Sequence, residues 1–335
     1  MNALAWYVAC RADELARKPL ARTLLGVPLV LFRDAAGRAT ALVDRCPHRN
    51  APLSAGRLEA GVLRCPYHGW AFDGAGACVE VPGLCEQQAN PARAATAHPV
   101  LEQDGLVWVW GVAGVAAGPP PYRVPDLTAP NAYAFGIDTR ATLANAAENY
   151  LDSAHTAYVH AGLIRREAVR KPATVHVTRW HDRVEALYPD DQSLNGLIYG
   201  LLGRGVSKLD IVARFILPSI AELEYRTDTD AGMRIVVCFT PTEAGRLQGQ
   251  VVVGTRWRGP GWLARALTQP LFKLAARQDA GILGLQADNV ARFGDEAFVS
   301  TELDVVRSHI AYLLAHPDLP PAAEPAVQRT LAIMI

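Results

Sequence analysis

Cysteine is scarce in this chain: six in 335 residues are too few for a disulfide scaffold. Charge of one sign is lacking as well. Lys plus Arg and Asp plus Glu stand at 33 each with no long run of either, which excludes a nucleic-acid footprint or a membrane-surface patch. No uncharged apolar run reaches the ~20 residues that a bilayer-spanning helix needs. There is no internal repeat or low-complexity segment. No GxGxxG stands in a strand-turn-helix setting and no flavin motif is present, so no nicotinamide or flavin site is expected on this chain. The opening MNALAWYVACRADEL has no basic segment ahead of its short apolar run and carries Arg11, Asp13 and Glu14 directly after it, which argues against a secretory signal. With 50% apolar residues, a globular protein with a substantial core, in a reducing cytoplasm, is the expectation.

Before residue 110 the pattern is of short β-rich runs. TLLGVPLVLFRDAAGRATALVD predicts two strands joined at Asp34 to Gly37, and GLVWVWG another. GVAGVAAGPPPYRVPD, from Gly111, is Gly-, Ala- and Pro-rich, as an extended connection would be, and places a domain boundary near Gly114 to Pro121. Domains of 1–115 and 116–335 follow. Ala141 to Leu163 favours a helix, and strands are expected in TVHVTRW, RVEALY, DIVARFIL, IAELEYR, MRIVVCFTPT and RLQGQVVVGTRW. Thr227 to Gly232 supplies a turn between two of them. LFKLAARQDAGILGLQADNVARF and ELDVVRSHIAYLLAH return to helix. The fold class is α+β: an all-β N-terminal domain, then an antiparallel sheet flanked by helices.

Two short stretches carry paired metal-type ligands. CPHRN offers Cys46 and His48, and CPYHGW offers Cys65 and His68. Two Cys and two His leave zinc and a Rieske-type [2Fe-2S] centre as contenders. A Cys2His2 finger places its cysteines in one loop and its histidines on a helix, whereas here each loop gives one Cys and one His. That interleaving suits a cluster with one iron on two thiolates and the other on two imidazoles, provided that Cys46 and Cys65 share an iron. Pro47, Pro66 and Gly69 fit the tight loops this requires. Cys10, Cys78, Cys85 and Cys238 read as small core or loop residues.

A second constellation follows in ENYLDSAHTAYVH: Glu148, Asn149, Asp152, His155 and His160. On a regular helix, at about 100° per residue, His155 and His160 diverge by roughly 140°. Both imidazoles reach one atom only if the helix is distorted or left before His160. Two histidines and one carboxylate make a facial triad with open positions for O2 on non-haem Fe(II). In LFKLAARQDAGILGLQ, Lys273 and Arg277 mark a wet helix face, and Asp279 lies on the other, among Phe272, Ala275, Ala276, Ile282 and Leu283. A buried carboxylate needs a partner; a metal is one, a nearby Arg another, and Asp288 is a rival ligand.

CPHRNAPLSAGRLEAGVLRCPYHGW resembles the signature of the Rieske non-haem iron oxygenases, and the resemblance runs over most of the chain. ENYLDSAHTAYVH is similar to the family's iron motif, and QDAGILGLQ to its late acidic segment, which favours Asp279 as the third ligand. The resemblance implies a helix-grip catalytic domain, a Rieske cluster on Cys46, His48, Cys65 and His68, and Fe2+ on His155, His160 and Asp279. It implies that Asp152 bridges His155 to His68 of a neighbouring subunit in a homotrimer, and that Asn149 lies near the iron. It further implies O2 as co-substrate, electrons from NAD(P)H through a separate reductase, with or without a ferredoxin, and a small apolar organic substrate. The single-subunit length is similar to the small homotrimeric branch, typified by vanillate and dicamba demethylases, that carries out O- or N-demethylation and related monooxygenations. Aromatic cis-dihydroxylation is the enzymatic alternative, and a Rieske electron carrier with a ligand pocket the alternative of another class. Ile198, Tyr199, Leu201 and Leu202, in the loop 190–205, read equally as a pocket lining or as core.

Overall fold

Alternating apolar residues punctuated by tight turns make the first 110 residues all-β. The computed structural model describes every residue except 1, 167–170, 191–196, 198–207, 229–231, 257–258, 321–323 and 335. The strands are Trp6–Arg11 (β1), Leu20–Leu24 (β2), Val27–Arg33 (β3), Ala39–Val43 (β4), Arg57–Glu59 (β5), Val62–Arg64 (β6), Ala71–Phe72 (β7), Cys78–Glu80 (β8), Ala97–His98 (β9), Val100–Gln103 (β10) and Leu106–Trp110 (β11). They form sheets in the orders β1-β11-β10, β2-β3-β4-β9 and β5-β6-β7-β8. The turn expected at Asp34 to Gly37 joins β3 to β4. One correction applies: Thr23 and Leu24 belong to a strand of their own, because Leu25 and Gly26 take φ of 51° and 83° and reverse the chain between β2 and β3. Cys46 follows β4 and Cys65 follows β6, and both enter a core with Leu53, Leu63 and Phe72. This compact unit takes in Asn2–Arg123 and Thr240–Ala244.

The second unit, Val124–Phe239 with Gly245–Ile335, is built on one eight-stranded sheet. Its strands are Ala132–Arg140 (β12), Pro172–Arg179 (β13), Arg183–Tyr188 (β14), Leu209–Ile216 (β15), Ile220–Thr227 (β16), Met233–Glu243 (β17), Arg246–Thr255 (β18) and Val327–Met334 (β19), in the order β12-β18-β17-β16-β15-β14-β13-β19. β12 and β19 hold the two edges and were not legible as strands: Gly136 and Asp138 interrupt the first, and the second is mostly exposed. Helices Leu143–Leu151 (α1), Gly261–Phe293 (α2) and Arg307–Ala315 (α3) share a core with one face of the sheet. α2 starts ten residues before the expected Leu271 and runs through Pro270, since WLARALTQ is rich in helix formers. Among the described residues no helix is long and apolar enough to cross a membrane. The arrangement is α+β, with an all-β unit followed by a large antiparallel sheet and helices.

On the other face of the sheet, Glu185, Arg214 and Glu222 stand directly opposite one another on β14, β15 and β16. Arg214 pairs with Glu185 at 2.6 Å, Glu222 at 2.5 Å and Glu224 at 2.7 Å, and Arg234 also pairs with Glu222, whose side chain is fully buried. Removing the central cation leaves three carboxylates facing one another. Arg214→Met is expected to cost about 3–5 kcal/mol of stability, less in acid where the carboxylates protonate. Urea melts of both proteins at neutral and mildly acid pH check this.

Candidate metal centres

The two Cys-His loops repeat one backbone device. The Cys46 carbonyl accepts from Asn50 N–H at 2.8 Å, and its N–H donates to Ala51 at 2.9 Å. The Cys65 carbonyl accepts from Gly69 N–H at 3.2 Å, and its N–H donates to Trp70 at 2.8 Å. Asn50 and Gly69, each four residues past its cysteine, take positive φ of 61° and 73°, a conformation that Gly adopts freely and Asn tolerates. The side chains segregate by type. Both thiols are buried side by side; burial foremost, and the Cys65 thiol beside it, push Cys46 up to about 11, against the His48 backbone N–H, which lowers it. The His48 and His68 rings lie 4.6 Å apart, His48 stacks on Trp70 at 4.7 Å, and His48 Nδ1 is buried with no hydrogen-bond partner. Adjoining thiols and adjoining imidazoles suit a cluster with sulfur on one iron and nitrogen on the other.

The second constellation depends on a broken helix. The expected Ala141–Leu163 helix ends at Leu151, a correction that satisfies the requirement for a break before His160. Asp152 stops it: its backbone is extended, its Oδ1 accepts from Ala154 N–H at 2.8 Å, and its Oδ2 accepts from His155 N–H at 3.0 Å. A short carboxylate that caps the next turn competes with helix continuation. The chain resumes as a single 3-10 turn, His155–Ala157, and His160 follows on a further turn.

His155, His160 and Asp279 converge, with one donor atom from each within 4.8 Å of the others. His155 Nε2 and His160 Nε2 lie 3.3 and 3.0 Å from Asp279 Oδ1 and 3.4 Å from each other. A divalent first-row ion with bonds of about 2.1 Å spans cis donors about 3 Å apart, so the triangle fits one octahedral face. Asn149 Nδ2 donates to the same Oδ1 at 2.9 Å, which makes it a partner of the carboxylate. Asp288 is elsewhere, half exposed and paired with Arg140 at 2.8 Å, and drops out as a ligand. Glu148 is taken by Arg307. Of the apolar neighbours expected for Asp279, Ile282 turns out to be exposed; Phe272, Ala275, Ala276 and Leu283 are buried.

Residues 5–92 match the family described as the Rieske [2Fe-2S] domain, and residues 139–312, more than half of the chain, match the vanillate O-demethylase oxygenase C-terminal domain. This chain belongs to the family of Rieske non-haem iron oxygenases. It is 43% identical over 167 residues to the oxygenase component of dicamba O-demethylase from Stenotrophomonas maltophilia, a match that covers 47% of each chain. It is 29% identical over 305 residues to aminopyrrolnitrin oxygenase PrnD from Pseudomonas fluorescens, which covers 83% of this chain and 82% of that one. The chain spans about half the length of most of the curated relatives it matches. A crystal structure of dicamba monooxygenase bound to dicamba superposes with a TM-score of 0.76 and 25% identity over 93% of this chain and 96% of that one.

A Rieske oxygenase carries a [2Fe-2S] cluster and a mononuclear iron, and both donor sets here fit such groups. Three further residues escaped the sequence reading. Gln278 Oε1 accepts from His160 Nδ1 at 2.8 Å, which turns Nε2 toward Asp279 and makes it the nitrogen available to a metal. Its place beside Asp279 on α2 was the available signal. Tyr150 and Arg165 line the cavity next to the triad; nothing in the motif distinguishes them. Asp152 Oδ2 lies 3.3 Å from His155 Nδ1, near enough to pair electrostatically but not aligned as a hydrogen bond.

Burial acts to lower the His155 pKa, yet Asp152 and Asp279 override it and raise the group to about 9. Burial likewise opposes ionisation of Asp279, but the two histidines hold its carboxyl below the usual range. In protein stripped of metal, His155 stabilises the fold fully below its unfolded pKa near 6.5 and ceases to do so as pH rises through about 9. A metal must displace that proton. Fe(II) affinity of chelator-treated, anaerobic protein is therefore expected to rise about tenfold per unit between about pH 6 and 8. Calorimetric titration at three pH values checks it, and a flat profile would count against His155 as a ligand.

Proposed function

We propose that the chain is the terminal oxygenase component of a multicomponent system. It uses O2, and electrons from NAD(P)H passed on by a separate reductase or ferredoxin, to hydroxylate or O- or N-demethylate a small, mostly apolar organic substrate in the cytoplasm. The observation that carries this is the convergence of His155, His160 and Asp279 at the wall of a largely apolar cavity, in a chain that also holds paired Cys-His loops. An electron carrier with a ligand pocket has no use for that triad. Relatives named as a dicamba O-demethylase and an aminopyrrolnitrin oxygenase support the same direction. Residues 1–115 are assigned to the cluster domain and 116–335 to the catalytic domain.

Cys46, His48, Cys65 and His68 would hold the cluster, and His155, His160 and Asp279 the ferrous ion; loaded, the two groups supply single electrons and an open coordination face for O2. The chain's own side chains do the rest. Asp279 stays ionised, and Asn149 restrains its Oδ1. Gln278 orients the His160 imidazole through its second nitrogen, and Asp152 pairs electrostatically with that of His155. Phe272, Ile211, Leu223 and Val251 exclude water and seat the substrate's apolar body. In a homotrimer Asp152 would also accept from His68 of a neighbouring copy, a role supported by the exposure of His68 on its loop. A methyl group hydroxylated beside oxygen or nitrogen leaves as formaldehyde when the hemiacetal or hemiaminal collapses.

Metal analysis tests the proposal directly. Anaerobically reconstituted protein is expected to hold about three irons and two acid-labile sulfides per chain, and Asp279→Ala about two irons with the same sulfide and an unchanged EPR signal from the reduced cluster. Two irons in both proteins would sink the oxygenase function.

A further inference from the structure

On the eight-stranded sheet Arg183, Arg214 and Arg234 each have a carboxylate partner. Arg179 and Arg329 do not. Arg179 pairs with Val327 and Val177 with Arg329, so the two guanidinium side chains leave β13 and β19 on one face as diagonal neighbours. It is the face on which Val175 and Val177 enter the core shared with the helices. α3 meets them there. The Tyr312 ring covers the Arg179 guanidinium, whose carbon lies 3.7 Å from the ring centroid, and His309, one turn earlier on α3, is only 6% exposed. The Arg179 Nε is buried with no hydrogen-bond partner. Neither His309 nor Arg329 has a side-chain hydrogen bond or ion pair among the described residues. Burial foremost, then Arg179, then Arg329, lower the His309 pKa, so the charges that bear on this ring are both positive. Like charges gathered beside a buried imidazole, with no carboxylate among them, destabilise the fold unless an anion joins them. None of these residues lines the cavity beside the triad.

We propose that Arg179, Arg329 and His309 form a binding site for a phosphoryl group, taken up as inorganic phosphate or as the phosphate of a small ester. Two guanidiniums balance a dianion, whereas one carboxylate would leave a positive charge unanswered. Stacking on Tyr312 fixes the plane of Arg179 and with it the direction of its N–H groups, the fork that phosphate oxygens accept from. His309 carries an N–H in either tautomer and supplies a further donor. Arg329 stands exposed at the rim, which leaves the site open to solvent. The assignment uses no residue of either metal centre and is independent of the oxygenase proposal.

Calorimetric titration of inorganic phosphate into the iron-loaded protein, at constant ionic strength and against acetate and chloride, tests it. Phosphate is expected to bind at one site per chain, about tenfold more tightly than acetate. Arg179→Gln and Arg329→Gln should each weaken phosphate about tenfold with iron content unchanged, and His309→Gln severalfold. Arg329 is exposed, so its variant still decides the matter if Arg179→Gln fails to fold. Phosphate also binds iron, and the titration is therefore repeated on Asp279→Ala, where its affinity should persist. Phenyl phosphate separates the two sources: binding equal to that of phosphate supports a phosphorylated small molecule as the ligand, and its exclusion supports free phosphate. The proposal is overturned if phosphate binds no more tightly than acetate or chloride, or if a folded arginine variant keeps the full affinity. Loss of phosphate binding in Asp279→Ala would also overturn it, and would place the anion on the iron.

Discussion

Asp279 brings a buried carboxylate into a wall that is mostly apolar, and a buried charge of that kind is tolerable only when donors or a cation surround it. Much of the second unit answers this need. α2 carries Asp279 on the same buried face as Thr268, Phe272, Ala275, Ala276 and Leu283. α1 supplies Asn149, and the segment after α1 supplies two imidazoles within 3.3 Å. With a divalent ion present the histidines can be neutral, because the ion provides the positive charge. Stripped of metal, the same geometry compels His155 to keep a proton. One cluster is thus a metal site or a buried ion pair according to what occupies it.

The histidines could not meet on an unbroken helix, and the break has a single local cause. Asp152 spends its carboxylate on the backbone N–H groups of Ala154 and His155, which ends α1 and starts a new turn at the residue that must rotate. Its Oδ2 stands beside His155 Nδ1 at the same time. Backbone capping and imidazole orientation are therefore served by one side chain. Replacing Asp152 would disturb the chain path as well as the electrostatics, and a loss of activity alone would not reveal which mattered.

Much of this was legible in the residues, for reasons that differ by site. Cys46, His48, Cys65 and His68 were legible because short loops leave little freedom: ligands two or three residues apart stay together whatever the surrounding sheets do. The triad was half legible. The geometry of a 3.6-residue helix shows that His155 and His160 need a break, but alanine-rich flanks favour helix throughout, and propensity hid the cap at Asp152. Asp279 stood out by its apolar neighbours and Gln278 only by standing next to it, whereas Tyr150 and Arg165 carry no spacing signal. Of the two edge strands, β12 was missed because Gly136 and Asp138 interrupt its apolar run, and β19 because it is mostly exposed and shows little alternation. The stripe from Ile198 to Leu202 lies outside the described residues.

The two centres are built by devices of different sensitivity. In the first, both loops depend on backbone hydrogen bonds and on positive φ at Asn50 and Gly69, so their ligand geometry owes little to distant packing. The second draws donors from α1, from the turns after it and from α2, elements more than a hundred residues apart in sequence. Ile211 and Leu223 line the same cavity from strands of the sheet and lie outside that donor set. Electron supply and ligand geometry can therefore stay constant while the far wall of the cavity changes. That separation lets one architecture serve many substrates, and it places the substrate-determining information in the part of the chain where motifs are weakest.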